Sequence, residues 1–149
     1  MSEKKILVVD FDANSLESSK SLFESHGLKV VTARDGEAGY DMFKKEKPDL
    51  VILEAMIPKL HGFDLTQKIC QDSKGQVPVI IVTGVYKGSQ YRNEALRFLG
   101  AAEYFEKPFN TDKLVDVVLN LLYDETEIRM DLPSKEKVLE TLKEMLEKT

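Results

Sequence analysis

Apolar and polar positions along the chain fall into two alternating kinds of segment. Short β-branched runs occur at residues 5–9, 29–33, 50–53 and 79–82, and three of them are apolar almost throughout. That is the pattern of strands buried on both faces. A weaker fifth run covers 103–105. The segments between have helical spacing. The first is predicted to open at Asn14, with Glu17 three residues on as in a capping box, and to turn Leu16, Leu22 and Phe23 inward until Gly27. The second spans 37–45 after the Asp35-Gly36 turn, with Tyr40 and Phe43 inward. The third starts near Phe63 and carries Leu65, Ile69 and Cys70. The fourth spans 90–99 and buries Ala95, Leu96 and Leu99. The fifth opens at Asn110-Thr111 and carries Leu114, Val117, Val118, Leu121 and Leu122. Five strand-helix alternations predict an α/β fold, a parallel sheet with helices on both faces.

The pattern changes after residue 123. Residues 124–149 hold eight acids against five bases. Pro133-Ser134 reads as a helix start, followed by Val138, Leu139, Leu142, Met145 and Leu146 at helical spacing. The chain therefore divides into a body, 1–123, and an acidic linker with an amphipathic C-terminal helix, 124–149. A helix of about 15 residues is marginal alone in water, so this one is expected to pack on the body, a second copy or a partner.

Composition adds exclusions. The 149 residues are 42% hydrophobic and 32% charged, enough for one full core. The net charge of −5 gives no drive toward nucleic acid or an anionic membrane. No apolar run approaches 18 residues, and Met-Ser-Glu-Lys-Lys is not a secretory start, so the expected location is the cytoplasm. With one cysteine, Cys70, and two histidines, His26 and His61, a cysteine-based zinc site is ruled out.

Parallel α/β sheets form their sites beyond the carboxyl ends of the strands. Here strand one is followed by Asp10-Phe11-Asp12, strand three by Glu54, strand four by Thr83-Gly84 and strand five by Lys107-Pro108. Three carboxylates, a hydroxyl and an ammonium are the inventory for a divalent cation and a phosphoryl group. Each has a plainer explanation alone: Asp12 as a helix cap, Thr83 closing a turn, Lys107 solvated. Their recurrence at successive strand ends favours a site.

Residues 4–123 resemble the receiver domain of bacterial two-component response regulators. The strings that carry the likeness are KILVVDFD, the Asp35-Gly36 turn, KPDLVILEAMIPKLHGF, VPVIIVTG and GAAEYFEKPF. The resemblance implies a flavodoxin-like (βα)5 doubly wound sheet in the order 2-1-3-4-5, plus the C-terminal helix. It implies a signalling domain, not an enzyme, with Glu54 at the phospho-acceptor position and Thr83 and Lys107 as phosphate contacts. Tyr104 would be the switch aromatic. Asp10 and Met56, the latter through its carbonyl, would be metal ligands beside the acidic-pair position held by Phe11. The partners implied are a histidine kinase or a downstream effector. A second copy, forming a homodimer, is a further candidate partner, through the face of the fourth helix, fifth strand and fifth helix, or through the C-terminal helix.

Two positions depart from the family pattern. Glu54 replaces aspartate, so its oxygens sit roughly 1.5 Å further out, and misplacement of that size can cost ~100-fold in rate. Phe11 replaces the second acid. If strand alternation continues, Asp10 and Asp12 share a face and Phe11 points away; otherwise its ring occupies a ligand position. Either way Mg²⁺ binding is expected to be weak or absent. The reading is a degenerate receiver that acts through phosphorylation-independent protein contacts. In one version Glu54 and Lys107 form a standing ion pair that biases the domain toward an active-like state; in the other Glu54 is inert and the fold is a docking platform.

Two alternatives accompany it. The first is a Mg²⁺-dependent receiver using Asp10 and Asp12. The second is a haloacid-dehalogenase-type phosphatase, since VVDFDAN resembles that family's first motif with Asp10 as nucleophile. Asn14 in place of Thr or Val and the lack of a later acidic pair weigh against the second. Tyr104 has a plainer reading as a half-buried edge tyrosine with a wet hydroxyl. Tyr86 and Tyr91 read as loop packing. His61-Gly62 reads as a turn with positive φ at glycine.

Overall fold

The computed structural model describes residues 3–123 and 135–147. Five strands form one parallel sheet: β1 Lys5–Val9, β2 Lys29–Ala33, β3 Leu50–Glu54, β4 Val79–Thr83 and β5 Glu103–Glu106. Their spatial order is β2-β1-β3-β4-β5, the doubly wound arrangement. Helices α1 Ala13–Glu24, α2 Gly36–Glu46, α3 Gly62–Ser73, α4 Ser89–Glu94 and α5 Thr111–Leu122 connect and follow the strands. A further helix, α6, spans Lys135–Glu147. The predicted linker and the Pro133-Ser134 start lie outside the described residues.

Strand alternation sorts the core into two layers. Ile6, Val8, Ile52, Ile80, Val82 and Phe105 pack with Leu16 and Phe23 of α1 and with Leu114, Val115 and Val118 of α5. Leu7, Val9, Val51, Leu53, Val79, Ile81 and Tyr104 pack on the other face with Leu65 and Ile69 of α3 and with Ala95. The central strands β3 and β4 are buried along their whole length, as their continuous apolar runs require. The apolar positions Leu139, Leu142, Met145 and Leu146 of α6 are exposed.

Several helix starts differ from expectation. α1 is capped by Asp12, not Asn14: the Asp12 carboxylate accepts from the Asn14 amide. In Asp-Phe-Asp-Ala-Asn two good caps lie two residues apart, and the tight turn after β1 selects the earlier one. The fourth predicted helix is one turn and a half of α-helix that widens into a π-helical segment, Ala95–Leu99. Gly62 is the first residue of α3 and does not have positive φ. Its reason is space, because a Cβ there would stand 2.6 Å from the Glu54 carbonyl oxygen and 2.7 Å from Ala55 Cα.

Candidate functional site

The register of the sheet aligns the strand ends. Glu54 lies opposite Val82, and Thr83 opposite Glu106. The Lys107 amide donates to the Thr83 carbonyl at 2.8 Å and extends that pairing by one residue, just before a cis bond to Pro108. On the other side the Asp10 amide donates to the Ala33 carbonyl. A crevice of about 310 Å³ opens between these ends and α1, lined by Asp10, Glu54, Lys107, Asn14, Ser15, Ser18 and Ser19 over Val8, Ile52 and Val82.

Within the crevice, Glu54 is only 9% exposed and the Lys107 ammonium stands 2.8 Å from its Oε2. Oε2 has no hydrogen-bond partner among the described residues, so the contact is an ion pair with poor donor direction. Burial works against the charge on Lys107. The contact with Glu54 and the nearby charges of Asp10 and Asp12 outweigh it, and the ammonium is held above the ordinary lysine range.

The acidic loop after β1 is occupied with itself. The Asp12 amide donates to Asp10 Oδ1 at 3.0 Å. Asp12 Oδ1 accepts from the Asn14 amide and Oδ2 from the Ser15 hydroxyl. The Ser15 hydroxyl first, then the Asn14 amide, draw the Asp12 carboxyl below the usual range. Phe11 points out of the crevice and is 56% exposed. Arg34, at the end of β2, donates from Nε and Nη2 to the Phe11 carbonyl and lies over its ring at 5.1 Å. Of the two expected placements of Phe11, the outward one holds. Arg34 carried no sequence signal, since it lies 23 positions from its partner.

Thr83 is fully buried, and its Oγ1 accepts from the amides of Val85 and Tyr86 at 3.1 and 3.0 Å. It does not line the crevice. Met56 follows β3 with a side chain 52% exposed. Tyr104 corrects an expectation: it is 1% exposed, and its hydroxyl donates to the Tyr86 carbonyl instead of to water. Burial, then the charges of Glu106 and Glu54, push its phenol up to about 12. Tyr86 is more than loop packing. Its hydroxyl meets His61 Nε2 at 3.1 Å, and its ring packs edge-on against His61 and Tyr91.

Mg²⁺ demands near-octahedral oxygen ligation with little tolerance. Asp10 and the Met56 carbonyl are the family's ligand positions present here, but both Asp12 oxygens already serve the α1 cap and an ammonium faces Glu54. The residues in this arrangement do not fit a Mg²⁺ site.

Comparison with known proteins agrees with this architecture. The family model for the response regulator receiver domain matches residues 6–119. The Escherichia coli (strain K12) transcriptional regulatory protein CpxR is 38% identical over 111 residues, 74% of this chain and 46% of its own length. Pseudomonas aeruginosa protein PilH is 30% identical over 115 residues, 76% of this chain and 93% of its own. Among solved structures, a CheY-like receiver domain protein from Methanospirillum hungatei JF-1 superposes with a TM-score of 0.74 at 30% identity, over 81% of this chain and 94% of that one. The chain belongs to the response regulator receiver domain family of two-component systems. It spans about half the length of the transcriptional regulators it matches, between 42% and 49%. The family match leaves the phosphatase alternative without support. No helix among the described residues is long and apolar enough to cross a membrane.

Proposed function

We propose that this domain signals through protein contacts without a phosphorylation cycle, with the Glu54–Lys107 ion pair standing where a phosphoryl group and its lysine contact stand in the family. The 2.8 Å approach of the ammonium to a nearly buried carboxylate carries the reading. The inward Tyr104 supports it, since that aromatic is the family's reporter of the signalling state. A carboxylate is an incomplete substitute: it offers −1 charge and two oxygens against about −1.5 to −2 and three. The pair biases the conformational equilibrium only by the difference between its energies in the two states. On this reading Mg²⁺ binds weakly or not at all, and Asp10 and Asp12 hold loop structure.

The partners are proteins: a histidine kinase, a downstream effector, or a second copy through the α4–β5–α5 face or the exposed apolar side of α6. The test is incubation with acetyl phosphate or beryllofluoride in the presence of Mg²⁺. Unmodified mass and an unchanged amide spectrum are expected. A stable Mg²⁺-dependent adduct on Glu54 overturns the proposal in favour of an ordinary phospho-accepting receiver.

A further inference from the structure

Tyr86 occupies a position that neither the family site nor the ion pair accounts for. Four of its groups are used: amide, carbonyl, ring and hydroxyl. Its amide donates to Thr83 Oγ1 at the end of β4, and its carbonyl accepts from the Tyr104 hydroxyl on β5. Its ring packs against Phe63 of α3 at 5.4 Å and Tyr91 of α4 at 5.3 Å. Its hydroxyl meets His61 Nε2. His61 is in turn the cap of α3: Nδ1 accepts from the Phe63 amide at 3.1 Å. That bond fixes the tautomer, because Nδ1 must be bare, so the neutral ring carries its proton on Nε2 and donates to the Tyr86 oxygen. One residue on, Gly62 is pressed against the Glu54 and Ala55 backbone, its amide donating to the Ala55 carbonyl at 2.8 Å. A continuous set of contacts thus runs from the backbone of Glu54 through Gly62, His61 and Tyr86 to the hydroxyl of Tyr104.

We propose that the His61–Tyr86 hydrogen bond is a latch that couples the β3–α3 loop to the inward position of Tyr104. The loop then acts on the output aromatic by a route separate from the Glu54–Lys107 side chains. The Tyr104 hydroxyl is held by a loop carbonyl, so its position is only as fixed as the backbone at residue 86. Thr83 Oγ1 anchors that backbone from one side and the His61 imidazole anchors its side chain from the other. Histidine has the length to cap α3 with one nitrogen and reach Tyr86 with the other; an aspartate cap is shorter and has no N–H to donate. The latch rests on the reading that Tyr104 position is the output, but it does not require the ion pair to be the input.

The experiment is ¹⁹F NMR of the whole chain with 3-fluorotyrosine, its five tyrosines assigned by single Tyr→Phe variants. Tyr86→Phe keeps the ring packing and removes the bond to His61. His61→Asp keeps a cap for α3 and removes the same bond from the other side. Each variant is expected to raise the ratio of a second Tyr104 conformer by about three- to tenfold, the equivalent of one ordinary hydrogen bond. The double variant is expected to do no more than either single change. A single unshifted Tyr104 resonance in both variants, with circular dichroism unchanged, overturns the latch, and so do effects that add in the double variant. Glu54→Gln reports on the ion pair separately, so failure of the latch and failure of the phosphorylation-independent reading give different spectra.

Discussion

The ammonium of Lys107 and Oε2 of Glu54 are 2.8 Å apart, with Glu54 almost wholly buried and Lys107 partly open to solvent. The two residues come from β3 and from the turn after β5, strands separated in the sheet by β4. The two side chains meet across the end of the strand between them. The ion pair ties the far edge of the sheet to its centre, where the family in its resting state has an aspartate.

The first prediction concerns alkaline stability. Glu54, with Asp10 and Asp12, holds the Lys107 ammonium above its ordinary range. The folded state therefore binds this proton more tightly than the unfolded chain. The stabilisation is fully present below the unfolded lysine value, about 10.4, and is lost as pH rises through the higher folded value. Glu54→Gln should flatten this decline above about pH 10.4, the unfolded lysine value. Urea unfolding across that range checks it; equal slopes in the two proteins contradict the ion pair.

Tyr104 predicts an optical signature. Its phenol, pushed up to about 12, should ionise above the ordinary tyrosine range of about 10. Tyr40 is also raised, first by its hydrogen bond to Asp72 and then by burial. Absorbance titration in the tyrosinate band should thus extend to about pH 12, and Tyr104→Phe should remove that late contribution. A Tyr104 that ionises near the ordinary value of about 10 would mean a solvated hydroxyl. In sign, this phenol favours the fold below the unfolded tyrosine value and loses that contribution as pH rises through about 12.

How much of this was legible in the sequence differs by residue. The buried strands were, because β3 and β4 are short, β-branched and apolar almost throughout, as strands covered on both faces require, and they alternate with helical segments. The convergence of Asp10, Glu54 and Lys107 on one crevice followed from their places at strand ends. Thr83 shares that position in the sheet, but its hydroxyl turned to the loop amides that follow it. The cap of α1 was legible only as a choice, since Asp12 and Asn14 are both good caps and the backbone path after β1 decides between them. Nor was the burial of Tyr104. An edge strand has an inner face too, and the hydroxyl found a carbonyl on a loop that periodicity does not describe. The Arg34–Phe11 and His61–Tyr86 contacts join positions 23 and 25 apart with no repeating pattern, so only the folded chain brings them together.

Gly62 predicts a steric effect next to the site. A Cβ at this position meets backbone, not a flexible side chain, at 2.6 to 2.7 Å. Relief requires α3 to move away from the end of β3. Gly62→Ala should therefore destabilise by about 1–3 kcal/mol in urea unfolding. The same change should also disturb the His61 cap, visible as a shifted Phe63 amide. An unaffected midpoint would mean that the β3–α3 loop yields easily.

The last prediction rebuilds what the site lacks. Glu54→Asp draws the carboxylate back by roughly 1.5 Å, which breaks the 2.8 Å contact with Lys107 and opens space at the strand end. Phe11→Asp adds an acid beside Asp10 and removes the ring stacked under Arg34. Asp12 remains committed to capping α1, so the new acid, and not Asp12, has to supply the missing ligand. Neither change suffices alone, because phosphoryl transfer of this type needs both a correctly placed nucleophile and the metal that neutralises charge on the oxygens. The double variant should acquire Mg²⁺-dependent labelling by acetyl phosphate on the shortened carboxylate at the end of β3, read as a mass increase. The rate should be at least about tenfold above either single variant, since misplacement alone is worth up to ~100-fold. Labelling by Glu54→Asp alone at the same rate would mean that the loop after β1 already holds Mg²⁺ without a second acid, and the misfit assigned to Phe11 and Asp12 would be wrong.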